Sequence, residues 1–425
     1  MLNVVETFSG IGAQTEALTK AGIIHRVSAT VEWEIGAMYA YDIIHHGIQD
    51  WSDYRHHTRE SLIEVLSKYN LSGNGKEPLT YQALSGMNVP QLKAILCAID
   101  RSNNLVDITQ VHAENLEDNV DVLTYSFPCQ DLSVSSHWWH NDSGIDRNSG
   151  NRSSLLWEIE RILGEFHELG KPLPKFLLME NVSAILSKRH IGNFAEWQNY
   201  LERLGYYNKV YTLKASDFGV PQSRERTYML SVLVGKNENI LKQVEDYFFL
   251  NNLENVSIEG KHSIGDYLRL DYSNPVYRQE AIDSTPNFTP SREKIYLNNV
   301  ILATDSTPKE GVLARTITTK QDRHPNSGLV TYSEKHQLVP GCKYRNITPR
   351  EAFLLMGFQE YEYDSLIEQN IKVAVNRTLL PDSKMLKLAG NSIVVDVLVE
   401  IFKQVEYIND NILSIISKDE LMEIA

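Results

Sequence analysis

Pro128-Cys129-Gln130 puts a thiol just past the run Asp121–Phe127, an apolar and β-branched stretch closed by proline. That pattern predicts a buried strand. Open α/β sheets bind ligands at the carboxyl ends of their strands, where a thiolate can act as a nucleophile. Taken alone, the same cysteine reads more readily as a small apolar cap on a core strand. Glu180 ends a second apolar run, Phe176–Val182. A partly desolvated carboxyl there can hold a proton and donate it to a ring nitrogen. The alternative is an acid at a helix start, with Asn181 or Ser183 as cap. Gln222, Arg224 and Arg226 alternate ahead of the apolar run Thr227–Val234. In a strand they would share a face; the bland reading is an exposed edge strand with an ion pair. Ala389-Gly390-Asn391-Ser392 precedes a predicted helix over Ile393–Val405, where Asn or Ser is an ordinary cap.

The elements that must position these groups alternate strand and helix from Leu2 to about Val234, predicting an α/β, doubly wound, Rossmann-like domain. Val4–Phe8 reads as its first strand, and Ser9-Gly10-Ile11-Gly12-Ala13 as a glycine turn into a helix over Gln14–Ala21. Glycines allow a sharp turn and close approach of the backbone to a ligand, although Ala13 stands where a third glycine would be expected. Glu32 and Trp33 follow a second strand, and Asp107 and Ile108 mark a third strand end. Together they outline an adenosine site: Phe8 to stack, Glu32 for the ribose hydroxyls, Asp107 for the adenine edge. The alternative for each acid is a solvated surface carboxylate.

Phe-Ser-Gly-Ile-Gly, Pro-Cys-Gln, Glu-Asn-Val, Gln-x-Arg-x-Arg and Gly-Asn-Ser, in that order, resemble the motif series of DNA cytosine-5 methyltransferases of the bacterial and phage restriction–modification type. Asn346–Glu351 with Leu355–Phe358 resembles a sixth block, so the likeness runs from Val4 to about Phe402. It implies S-adenosylmethionine as methyl donor, with S-adenosylhomocysteine as product. Ser9 to Ala13, Phe8, Glu32, Trp33, Asp107, Ile108, Pro128, Asn391 and Ser392 would bind that cofactor. It implies that Cys129, flanked by Pro128 and Gln130, adds to carbon 6 of cytosine. Glu180 would bind the ring at N3, Arg226 would donate to O2, and Arg224 would orient the thiol and target backbone. A base buried in a duplex is out of reach, so the resemblance also implies base flipping. Asp131–Ser154, rich in Ser, Asn, Asp and Gly, fits a loop closing over the flipped base. Ser133, Ser135 and Arg152 are suited to phosphate there, and Trp138 and Trp139 to stacking on bases or packing under the loop. No metal is expected, because the three cysteines and the pairs His45-His46 and His56-His57 lack ligand spacing. Those histidines read as exposed helix residues.

The net charge of −14 argues against a nucleic-acid partner unless charge is unevenly placed. It is: Lys309 to Arg350 holds eight Lys or Arg and three acids. Arg315, Thr316, Thr318, Thr319, Lys320 and Arg323 have the chemistry to meet phosphates and base edges. The expected organisation is a catalytic domain over 1–235 with a helical insertion at about 51–100. A smaller, mostly irregular or β target-recognition domain over 236–345, poor in helical period, follows. Residues 346–425 then complete the catalytic domain and end in a peripheral tail. The chain has no apolar run of about 18 residues, opens on a core strand rather than a secretory signal, and has three cysteines, as expected of a reducing cytoplasm. The expected partner is double-stranded DNA bound by a monomer, with a cognate restriction endonuclease in the same system and no membrane. A transfer-RNA cytosine-5 methyltransferase shares the motifs. A nicotinamide oxidoreductase would leave Cys129, Glu180 and Arg226 without roles, and a silent DNA-binding protein would have lost the thiol or Glu180.

Overall fold

The computed structural model describes residues 1–128, 145–146, 152–258, 262–287, 289–323 and 326–415. It divides into two compact units: 1–213 with 225–255 and 398–425, and 214–224 with 256–397.

The first unit is built on six strands: β1 (Leu2–Thr7), β2 (His25–Val31), β3 (Val122–Tyr125), β4 (Phe176–Val182), β5 (Tyr206–Lys214) and β6 (Glu225–Leu233). Their order in the sheet is β2-β1-β3-β4-β6-β5. The pairs β1–β2, β1–β3 and β3–β4 are parallel, whereas β6 runs antiparallel to β4. β1 and β3 are buried along their whole length. A parallel strand covered on both faces reads as a continuous apolar run, which is why these were legible. Helices α1 (Ala13–Lys20), α2 (Ile35–His46), α6 (Leu156–Glu168) and α7 (Ile191–Arg203) flank them. Between α2 and β3 lie α3 (Arg59–Leu66), α4 (Tyr81–Ser85) and α5 (Val89–Arg101). α4 and α5 are separate helices because Asn88 caps the second, its side chain accepting from the Gln91 amide, with Pro90 in the first turn. Tyr125 and Trp197 tie β3 to α7: the rings meet edge to face, and Trp197 Nε1 donates to the Tyr125 hydroxyl at 3.0 Å. This burial satisfies the polar tips of both rings.

Helices α8 (Glu238–Leu250) and α15 (Val395–Asn411) also contribute to this unit, with Tyr247 stacked on Tyr407 at 4.6 Å. α15 runs past Val405 to Asn411, and Ile408 within it is fully buried.

The second unit carries α9 (Ile264–Tyr267), α10 (Pro275–Asp283), α11 (Pro290–Leu297), α12 (Pro349–Leu355), α13 (Glu360–Glu368) and α14 (Asp382–Asn391). Its four-stranded sheet orders β7 (Ile301–Thr304), β8 (Thr307–Pro308), β9 (Leu329–Thr331) and β10 (Tyr344–Asn346) as β10-β9-β7-β8. Residues 236–345 hold more helix than their weak periodicity predicts. The signals were at the caps: Asn237, Asn274-Pro275 and Thr289-Pro290 each open a helix.

A buried ion pair anchors α12. Arg345 donates from Nη1 and Nη2 to Glu351 at 2.7 Å each, and Glu351 closes a capping box with Thr348. Arg350 lies on Glu280 and Asp364. Arg345 and Arg350, two of the eight cations of the basic stretch, are therefore spent inside the fold.

Candidate active site

Phe8, Glu32 and Pro128 follow neighbouring strands at one end of the sheet, and Asp107, which ends no strand, joins them there. The parallel strands β1, β2 and β3 release Phe8, Glu32 and the Ser126–Pro128 segment at their carboxyl ends. Asn104 makes a one-residue parallel bridge to Thr30 of β2, which carries Asp107 to the same edge. Two non-glycine residues here have positive φ, Phe8 at 55° and Val106 at 66°. The Asp107 amide donates to the Leu105 carbonyl at 2.9 Å, so Val106 is the centre of a γ-turn. A β-branched residue in that conformation is strained. Asn104 supports it, its Oδ1 accepting from the Val106 amide at 2.9 Å. Observed strain of this kind points to a functional site.

Glu32 is fixed rather than solvated. Its carboxylate accepts from the Gly10 amide at 3.1 Å and the Glu34 amide at 2.8 Å. Asn104 clamps its backbone, accepting from Glu32 N and donating to Glu32 O, both at 3.0 Å. Asn104 was not singled out in the sequence; the Ser-Asn-Asn turn was the available signal. Asp107 caps a short 3₁₀ helix, and its Oδ1 accepts from the Thr109 amide and hydroxyl at 3.0 and 2.9 Å. Trp33 is half-buried and Ile108 buried beside them.

The glycine turn is seated on α2. A Cβ on Gly12, whose φ is 78°, would collide with the His45 ring and Tyr41. His45 Nε2 lies 3.0 Å from the Ile11 carbonyl, and burial pushes the imidazole down to about 4. It is neutral at pH 7 and donates that hydrogen bond. The expectation of an exposed His45 fails because the helix turns this residue under the Gly12 gap. Below it, Thr15 donates to the fully buried Glu6 at 2.7 Å and meets Tyr41 Oη at 3.0 Å. Ser9 and Ala13 are buried in the same turn, and Ile11 beside them.

The antiparallel strand explains the second cluster. In the β4–β6 register Glu180 faces Tyr228 and Val182 faces Arg226. Residues two apart share a strand face, so Glu180 and Arg226 are diagonal neighbours. Arg226 Nε lies 3.3 Å from Glu180 Oε1, with both side chains mostly shielded from solvent. Asn181 Nδ2 donates to the Phe127 carbonyl at 3.1 Å, tying β4 to the segment that leads to Cys129. Ser153 Oγ donates to the Pro128 carbonyl at 2.7 Å. Cys129, Gln130, Ser133, Ser135, Trp138 and Trp139 lie outside the described residues, and so does the side chain of Arg152.

Gln222 and Arg224 precede β6, so the shared strand face expected for them with Arg226 does not form. Both are buried in the second unit. The Arg224 guanidinium donates to the carbonyls of Ile317 at 3.0 Å and Ser392 at 2.6 Å. Gln222 accepts from the Ile317 amide at 3.0 Å and donates to the Leu355 carbonyl at 2.8 Å. Gly390 is needed there, because a Cβ would overlap the Thr318–Thr319 peptide. Asn391 is the exposed last residue of α14, and Ser392 is its buried C-cap. The motif thus ends one helix rather than capping the next, which begins at Val395. Around this clamp Arg315, Thr316, Thr318 and Thr319 are half-buried, whereas Lys320 and Arg323 are exposed. Among the described residues no cluster of three or more His, Cys, Asp or Glu suits a metal, and no helix is long and apolar enough to cross a membrane.

Residues 83–407 match the C-5 cytosine-specific DNA methylase family. The chain is 33% identical over 411 residues to the type II methyltransferase M2.ScrFI of Lactococcus lactis subsp. cremoris, covering 95% of this chain and 99% of that one. It is 40% identical over 236 residues to the orphan methyltransferase M.SssI of Spiroplasma monobiae, a match spanning 55% of this chain and 59% of M.SssI. The solved Dnmt2 methyltransferase of S. pombe shares the fold, with a TM-score of 0.58 at 18% identity over 97% of this chain and all of that one. A Rossmann-like sheet with fixed acids at its carboxyl edge, a Glu180–Arg226 pair beside them, the family match over residues 83–407 and a relative similar along nearly its whole length agree: the chain belongs to the DNA cytosine-5 methyltransferases, whose methyl donor is S-adenosylmethionine.

Proposed function

We propose that this enzyme methylates one cytosine within a short sequence of duplex DNA, after flipping it from the stack, through a covalent bond to Cys129. The observation that carries the assignment of roles is the Glu180–Arg226 pair, held beside the β3 exit by Asn181. Phe8, Trp33, Glu32 and Asp107 fit an adenosine: an aromatic floor, a carboxylate with fixed orientation for two hydroxyls, and a second carboxylate for an exocyclic amine. S-adenosylmethionine, when bound there, supplies an electrophilic methyl group.

The Cys129 thiolate attacks carbon 6 of the flipped cytosine. The C5=C6 π pair moves to carbon 5, and protonated Glu180 donates its proton to N3, so no net charge builds on the ring. Arg226 donates to O2 and keeps the Glu180 carboxyl in place. The carbon 5 electron pair then takes the methyl group as its bond to sulfur breaks, which leaves S-adenosylhomocysteine. A base removes the carbon 5 proton, the double bond re-forms, Cys129 leaves as thiolate, and N3 returns its proton to Glu180. Free cysteine has a pKa of roughly 8.5, so a polar setting must stabilise that thiolate.

Arg224 serves this chemistry from a distance by clamping the Ile317 and Ser392 carbonyls and so holding the 314–323 loop that presents Lys320 and Arg323 to DNA. Residues 256–345, the part of that stretch that lies in the second unit, are the proposed target-recognition domain. The enzyme is proposed to act as a cytoplasmic monomer without a metal ion, alongside a cognate endonuclease.

Duplex DNA bearing 5-fluorocytosine tests the mechanism, because fluorine cannot leave as a proton does. A covalent complex that survives denaturation, and is lost in Cys129→Ala, is the expected outcome. Label from S-adenosylmethionine appearing on transfer RNA and not on DNA would replace this reading with the RNA branch of the same chemistry.

A further inference from the structure

Segment 51–100 is the stretch of the catalytic unit that the chemistry above leaves without a role. Its α3 and α5 pack on each other and α5 packs on α2, but the turn after α3 goes elsewhere. The Ser72 amide donates to the Trp33 carbonyl at 2.7 Å, and the Ile35 amide donates to the Ser72 carbonyl at 2.9 Å. This is a one-residue parallel bridge along the chain that carries Trp33. Two residues earlier, Asn70 Nδ2 donates to Asp107 Oδ2 at 2.8 Å. The anchor is firm: Leu71 and Ser72 are buried, the Leu79 amide donates to Leu71 O at 2.7 Å, and Ser72 Oγ donates to Glu77 O at 2.6 Å. One short segment therefore grips both Trp33 and Asp107, which come from different strand ends.

We infer that residues 70–72 form a strap that sets the adenine-recognising edge of the cofactor site, with Asn70 as the positioning residue for Asp107. This rests on the reading of Asp107 as the acceptor for the adenine amine. A carboxylate offers about four acceptor directions. Thr109 takes two at Oδ1 and Asn70 takes one at Oδ2. One direction is left, on Oδ2, and the amide of Asn70 decides where it points. A single free acceptor direction suits a single N–H donor at position 6 of the base. It repels a base with a carbonyl at that position, because two acceptors then face each other. The strap thus acts on which base is accepted as well as on how tightly.

The test measures binding of S-adenosylhomocysteine and of S-inosylhomocysteine, whose base carries a carbonyl in place of the amine, to the full chain. The ratio of the two affinities is taken on one preparation, so a partly inactive sample does not alter it. Asn70→Ala is expected to lower the preference for the adenine compound by roughly tenfold, the effect of one hydrogen bond to a charged group. Asn70→Asp, which sets a second carboxylate against Asp107, should lower it further. Asp107→Ala should abolish the preference. If both Asn70 variants keep the native ratio while Asp107→Ala loses it, the strap is structural only and the inference fails. If Asp107→Ala itself keeps the native ratio, the reading of Asp107 fails, and the inference with it.

Discussion

Glu180 and Arg226 stand as a partly shielded pair, and the proposed mechanism uses both. In that mechanism the carboxyl carries a proton to N3 while the guanidinium keeps its geometry, so the two would act as a unit. Glu180→Gln keeps the shape and removes the transferable proton. Methyl transfer at saturating DNA and cofactor should then fall by about 10²- to 10⁴-fold, the usual scale of positioned acid catalysis. Arg226→Ala should cost about 10²- to 10³-fold. Because the residues share one task, the double variant should be little worse than the worse single. Losses that multiply across the cycle would separate their roles, and a Glu180→Gln rate within a few fold of the native enzyme would remove it from the mechanism.

At the scale of elements, β1, α1 and α2 meet around two groups that burial shifts in opposite senses. Burial raises the Glu6 carboxyl to about 7 against the hydrogen bonds from Thr15. Its folded pKa lies above the unfolded value, so the folded state holds the extra proton, and stability falls as pH rises from about 4.5 to about 7. The full penalty, present above that window, is roughly 3 kcal/mol. His45 runs the other way. Its folded pKa lies below the unfolded one, so stability is lost as pH falls from 6.5 through about 4. The half-buried ring makes this the smaller effect. In the native protein the two slopes oppose each other. Denaturant unfolding of Glu6→Gln across pH 4.5 to 8 should gain on the native protein with rising pH, and His45→Gln should gain with falling pH. A constant offset for Glu6→Gln would mean that this carboxyl ionises as an exposed one does.

For the whole molecule, charge has to be counted after folding. The chain carries −14, and its basic stretch loses Arg345 and Arg350 to internal acids. Lys320 and Arg323 stay exposed, Arg323 beside Asp322 at 3.9 Å. DNA affinity should therefore depend on a few specific cations rather than on bulk attraction. Replacing both with alanine should reduce the slope of log affinity against log salt by about 2, since each phosphate contact contributes about 0.9. An unchanged slope would mean that DNA follows another surface. Mapping 5-methylcytosine in DNA treated with the enzyme would identify the target sequence, with one short motif methylated at one cytosine as the expected result.

The sequence by itself determined the strand ends, the glycine turn, the order of the motifs and hence the chemistry. Those signals are local: apolar runs, turn residues and caps act within a few positions of themselves. Glu32, Glu180 and Arg226 were legible for that reason; Asp107 follows a γ-turn and caps a 3₁₀ helix instead of ending the strand expected there. Tertiary structure decided which of these residues meet. Arg226 reaches Glu180 because β6 enters the sheet antiparallel, a pairing that no local pattern specifies. Arg224 is consumed by Ser392, 168 positions away, which alternation along the chain does not foretell. His45 turns inward because Gly12 leaves it room, and Asn70 reaches Asp107 because an insertion folds back. Each is a contact between segments distant in sequence, and only close packing brings such segments together.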